Sequence, residues 1–160
     1  MTKPLCTDKS VKTNYSEFPN SSISFHIPAV PVPQPRPRAT VFAGHAHVYE
    51  AGSEHSVHAF KATCRHAARA AYSGPPLEGP LTLTLEFVLP RPQAMRWKSK
   101  PMPRVAHAKK PDIDNLVKSL LDSLGGLVWL DDAQIAELTV RKYVAAGTEQ
   151  PGVTVEVRQS

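Results

Sequence analysis

Four carboxylates stand in two tight clusters of an otherwise basic chain. Asp112 and Asp114 lie in Lys109-Lys110-Pro111-Asp112-Ile113-Asp114-Asn115-Leu116-Val117-Lys118. Asp131 and Asp132 lie in Trp129-Leu130-Asp131-Asp132-Ala133-Gln134. In extended backbone, side chains two residues apart point to one side. Two carboxylates held that close repel unless a proton or a cation sits between them. A hard divalent cation is the usual solution, and Mg²⁺ is typically held by a few carboxylates, waters and substrate phosphate. Plainer roles compete. An Asp pair before a helix often caps it, an Asp-Asp pair after a short strand often makes a turn, and Lys118 stands at ion-pair spacing from Asp114. On chemistry alone these roles and a metal site stand level.

The elements that must position these residues are legible. Pro111 keeps Lys110 extended, so a helix starts after it. Asp112, Asp114 or Asn115 can cap the first turn. Leu116, Val117, Leu120, Leu121 and Leu124 form one apolar stripe at helical spacing, with Lys118, Ser119, Asp122 and Ser123 off it. Gly125-Gly126 stops the helix. A short strand over Leu127–Leu130 then delivers Asp131 and Asp132 and is expected to bring the two acid clusters together.

The ordered pattern D-x-D-N-L-x-K, a leucine-rich helix, and W-x-D-D-x-Q-I resembles the signature of the RusA family, Holliday-junction resolvases common in phages and prophages. The resemblance runs from about Ile23 to the C-terminus and is weakest between Ala39 and Gly74. Pro31-Val32-Pro33-Gln34-Pro35-Arg36-Pro37-Arg38 resembles the first loop of phage-type members. The resemblance implies a Mg²⁺-dependent endonuclease, with Mn²⁺ as a substitute, that cuts four-way DNA junctions by paired nicks in recombination and repair. It implies Asp112, Asp114 and Asp132 as metal ligands and Lys118 as the essential lysine. It also implies a homodimer with one site per subunit, acting in the cytoplasm of a bacterial or phage-infected cell. Asp131 should point away and play a structural part. Two rivals stay open: a metal-dependent nuclease for flaps or other branched DNA, and an inactive junction-binding module whose aspartates only cap and turn.

The rest of the chain agrees with a nucleic-acid partner. Nineteen Lys and Arg face 14 acids, a net charge of +5 in 160 residues, enough chain for one modest core. Cys6 and Cys64 make no metal or redox spacing. No run reaches membrane-spanning length, and no small-molecule cofactor beyond the metal is implied. Residues 1–22 read as a mobile polar tail, and 23–160 as the nuclease domain. Ile23–Ile27 alternates as a strand. Pro28–Arg38 is a stiff proline-rich loop presenting Arg36 and Arg38 to phosphate. A hairpin follows around Ala43-Gly44. His45, His47, His55, His58 and His66 lack a closed zinc-ligand spacing. Ser53 caps a helix over 54–72, with Val57, Phe60, Cys64, Ala67, Ala68 and Ala71 inward. Lys61, Arg65 and Arg69 line an exposed face, solvated or laid along a phosphate backbone.

Leu81–Leu89 is a clear strand by alternation. Pro90–Lys110 is a long basic loop ending in Lys109 and Lys110, a DNA-contacting arm with Trp97 available to stack on a base. Ile135–Val144 and Val153–Val157 are strands. The order predicts an α+β domain, a mixed sheet with two main helices packed on it.

Overall fold

The computed structural model describes residues 22–36, 38–42, 45–49, 52 and 54–160. The expected tail, Cys6 and the Ser53 cap lie outside them, apart from Ser22, which opens the first strand. The elements are β1 (Ser22–Ile27), β2 (Arg38–Phe42), β3 (His45–Tyr49), α1 (Ser56–Ala71), β4 (Leu81–Leu89), β5 (Val105–Ala106), α2 (Ile113–Leu124), β6 (Ile135–Val144) and β7 (Gly152–Gln159). Five strands form a mixed sheet in the order β1-β7-β4-β6-β5, and β2 and β3 form the separate hairpin.

The sheet is apolar on one side. Leu81, Leu83, Leu85 and Phe87 of β4 and Val153, Val155 and Val157 of β7 are fully buried. They pack against Phe60, Cys64 and Ala68 of α1 and Leu116, Leu120 and Leu124 of α2. Removing any of these leucines would cost about 2–5 kcal/mol. Thr82, Thr84 and Glu86 alternate on the other, half-exposed face.

Among the described strands, only β4 and β6 pair in parallel. Parallel neighbours need a crossover, and α2 supplies it. The helix therefore runs against the strands. Its first turn lies at the end of β6, where Lys142 Nζ donates to the Pro111 carbonyl at 2.7 Å. Its last residues lie near the start of β6.

Four local expectations are corrected. Leu127–Leu130 is a tight turn and not a strand: Gly126 adopts φ +72°, and its N–H donates to the Trp129 carbonyl at 2.7 Å. α1 begins later than expected, with the His55 Nδ1 accepting from the Val57 N–H at 3.1 Å, and Ala71 is exposed. Ser119 and Ser123 are buried. They widen the buried arc of α2 where it meets α1. There Ser123 Oγ donates to the Ser119 and Leu120 carbonyls at 2.8 Å, and burial pushes the Cys64 thiol up to about 11. The 90–110 segment is tied down among its neighbours. β5 pairs with the end of β6, and Arg91, 6% exposed, donates to the carbonyls of Ala145, Met95 and Pro103. Arg104 bridges Glu86 and Glu149.

Candidate active site

Asp112 is the N-cap residue of α2 by backbone, yet its carboxylate makes no capping hydrogen bond. It lies 3.8 Å from the Arg36 guanidinium, both groups being largely exposed. Arg36 reaches it because the Gln34 N–H donates to the Asn115 carbonyl at 2.9 Å, which pins the proline-rich loop to the first turn of α2. The approach to Asp112 is held from the other side. Lys142 Nζ donates to the carbonyls of Lys109 (2.8 Å) and Pro111 (2.7 Å), and His107 Nε2 lies 3.0 Å from the Lys110 carbonyl. Because the helix starts at Ile113, the extended-chain rule does not govern the Asp112–Asp114 pair. The two carboxylates line one cavity of about 740 Å³ with Lys109, Lys110 and Lys142. Asp112 also faces a neighbouring cavity with Arg36, Lys110 and Asn115. Asp114 faces another on the far side.

Asp132 sits on a separately built platform. Trp129 is fully buried, and its indole N–H donates to Asp132 Oδ1 at 2.7 Å. Asp131 accepts from the Ala133 N–H at 2.7 Å, a structural cap, as expected of it. Gln134 closes the turn. Its Oε1 accepts from the N–H groups of Leu130 and Asp131 (2.8 and 2.9 Å), and its amide nitrogen donates to the carbonyls of Leu77 and Gly79 (3.0 and 3.1 Å). The Trp, the first Asp and the Gln of the motif thus all serve to fix the second Asp.

Asp114, Lys118 and Asp132 line one cavity of about 450 Å³, whose middle is apolar, with Val117, Leu121, Leu138 and Val140. Lys118 makes no ion pair among the described residues, so the helix-pair role with Asp114 is not realised. The cavity is long. Asp132 Oδ1 lies only 3.4 Å from where a Cβ on Gly125 would stand, at the C-terminal end of α2. Asp112 and Asp114 occupy the other end of this 12-residue helix, a length of about 18 Å at about 1.5 Å per residue. Among the described residues no three His, Cys, Asp or Glu side chains converge on a common point. The expectation that the turn after α2 returns Asp132 to the first acid pair is therefore not met within one chain. By type the three carboxylates suit a hard cation. By position a single chain does not close a site around one.

The basic candidates separate. Arg36, Lys109 and Lys110 stand beside the acids. Arg38 begins β2, and its side chain lies outside the described residues. Arg65 and Arg69 are exposed on α1. Lys61 leaves that face: its side chain, 15% exposed, turns into the α1–α2 contact and pairs with Asp122 at 3.1 Å. Trp97 is 47% exposed on its loop. Lys142 was missed, since a lysine in an alternating strand reads as a solvated residue. No helix of the described residues is long and apolar enough to cross a membrane.

Residues 28–158 match the family described as Endodeoxyribonuclease RusA. A Bacillus subtilis (strain 168) protein bearing the name "Uncharacterized protein YqaN" is 28% identical over 145 residues, which cover 86% of this chain and 96% of that protein.

Proposed function

The chain belongs to the RusA endodeoxyribonuclease family, and from that premise we propose that it is a Mg²⁺-dependent nuclease that resolves four-way DNA junctions, with Mn²⁺ as a substitute ion. The observation that carries the reading is the pair of carboxylates at the start of α2, where Asp112 makes no capping hydrogen bond, flanked by Arg36, Lys109 and Lys110. A cap would use the Asp112 side chain, and this one is not used.

When bound, Mg²⁺ offsets phosphate charge and lowers the pKa of an attacking water. The chain's own groups do the rest. Asp112, Asp114 and Asp132 are the proposed ligands. Lys118, exposed and without an ion pair among the described residues, stabilises the charge that develops on the cleaved phosphate. Arg36, Arg38, Lys109 and Lys110 contact the backbone on either side, and Arg65 and Arg69 extend the contact along α1.

Because α2 holds Asp132 at the far end from Asp112 and Asp114, the site is completed by a second copy. The first acid pair comes from one subunit, and the third ligand is Asp132 of the partner subunit. A two-fold dimer then carries two equivalent sites, which suits a junction of near two-fold symmetry that needs two nicks. The activity belongs to DNA recombination and repair inside the cell.

The test is cleavage of a labelled four-way junction, a flap and a linear duplex, with and without Mg²⁺. Symmetric nicks in the junction that require the ion are expected. Preferential cleavage of the flap would assign a different nuclease, and binding without cleavage would assign an inactive junction-binding module.

A further inference from the structure

One long edge of the sheet is open. β6 has ten residues and pairs with β4 along its whole length. On its other side β5 covers only Tyr143 and Val144, and the His107 N–H takes the Lys142 carbonyl at 3.0 Å. Among the described residues, no strand lies beside residues 135–141 on that side. An open edge of this length invites pairing and is normally blunted or used. This one is neither short nor bulged between Glu137 and Arg141, and it carries apolar surface, with Leu138 at 44% exposure.

We propose that a second copy of this chain adds to this edge, β6 to β6, antiparallel about a two-fold axis at Thr139. The inference rests on the dimer reading above and supplies its surface and register. Three observations fix the register. First, Lys142 directs its carbonyl to the open side, so by alternation Val140 and Leu138 do too. A two-fold ladder must join these two positions, leaving axes at Leu138, Thr139 or Val140. Second, only the axis at Thr139 sets Glu137 opposite Arg141 of the partner subunit, and Arg141 opposite the partner's Glu137. It also sets Leu138 against the partner's Val140. Both Glu137 and Arg141 are exposed, and neither makes an ion pair among the described residues. The other axes oppose Leu138 to itself or to Lys142 of the partner subunit. Third, β5 closes the edge past Lys142. The register shift between Ile135 and Glu137 lets the chain leave the ladder at the matching point.

The consequence for the site follows from direction alone. Antiparallel pairing sets the start of the partner's β6 against the end of this β6. The partner's Asp132 stands just ahead of that start, and Lys142 holds the Lys109 and Pro111 carbonyls, just ahead of Asp112, at that end. A two-fold axis through the ladder, normal to the sheet, leaves both sites on the α2 face.

Sedimentation velocity without DNA or Mg²⁺ tests the interface apart from any nuclease activity. Glu137→Arg alone and Arg141→Glu alone each set like charges opposite twice. Each should weaken dimerisation roughly tenfold or more. An equimolar mixture of the two, and the chain carrying both exchanges, should regain the dimer. Thr139→Cys in a Cys6→Ser background should oxidise to a covalent dimer, since opposed residues of the closely spaced type stand about 4.5 Å apart between Cα atoms. Single exchanges that dimerise like the unaltered chain, a double exchange that folds but stays monomeric, or no cross-link would overturn this register while leaving the junction nuclease intact. A chain that stays monomeric on the junction would overturn both the register and the dimer reading.

Discussion

Trp129→Phe isolates the support of Asp132. The substitution keeps a buried aromatic ring but removes the indole N–H that donates to Asp132 Oδ1 at 2.7 Å. Shrinking a side chain that is 0% exposed leaves a small void, costing about 2 kcal/mol. In a chain of 160 residues that lowers Tm by roughly 4–8 °C. The functional effect should be separate and larger. Partners that orient a metal ligand are worth about 10–100-fold in affinity or activity. Single-turnover junction cleavage, measured against Mg²⁺ concentration well below Tm, should show a raised Mg²⁺ midpoint and partial recovery at high Mg²⁺. Val157→Ala, in β7 and fully buried, is the control with a similar thermal cost and no path to Asp132. If Trp129→Phe shows the same Mg²⁺ midpoint as Val157→Ala, Trp129 is core alone and the reasoning about Asp132 fails.

Lys142→Met removes the ammonium and with it both hydrogen bonds to the loop before Asp112. It should cost about 2 kcal/mol and lower cleavage more than binding, with Lys142→Arg partly restoring both; wild-type cleavage by Lys142→Met would dismiss the buttress. Changing Arg36 and Arg38 together to Ala should flatten the slope of log affinity against log salt by about 0.9 for each lost duplex phosphate contact. An unaltered slope would place both arginines in solvent. The Arg104 guanidinium holds the Glu149 carboxyl below its ordinary 4.5. A carboxyl depressed on folding stabilises above its unfolded pKa, and that stability is lost as pH falls through its folded value. Glu149→Gln should therefore be about 1 kcal/mol less stable than the unaltered chain at pH 7, with the gap closing below about pH 4.5. Urea unfolding at pH 7 and pH 3.5 measures it, and an equal gap at both would refute the pairing.

Where burial followed period, the fold was legible. The alternation of Leu81–Leu89 marked the central strand, and the leucine stripe with Gly125-Gly126 marked α2 and its end. Elements without a period were not. β5 has two exposed residues and exists only because β6 offers it an edge. Ser119, Ser123 and Lys61 are polar and read as surface. They are buried or half-buried because two helices approach closely over small side chains, and because a lysine stem can lie along that contact with its ammonium on Asp122. The basic 90–110 segment read as a DNA-contacting arm for the same reason, but its Arg91 gathers carbonyls of an irregular loop. The candidate ligands were legible as types and not as a constellation. D-x-D before a helix and D-D after it read as neighbours on the chain's path, but a helix of 12 residues keeps its ends apart.

That separation makes a mixing experiment the most direct test of the site. Asp112→Asn and Asp132→Asn chains, one carrying an affinity tag, are prepared separately, mixed, and the mixed dimers isolated. Each parent should be inert on a four-way junction in Mg²⁺, since every site lacks a ligand. In a mixed dimer one site pairs the intact Asp112 and Asp114 of one chain with the intact Asp132 of the other. That dimer should nick one strand of the junction and stop. Mixed dimers that bind the junction but stay as inert as their parents would contradict a site shared between subunits.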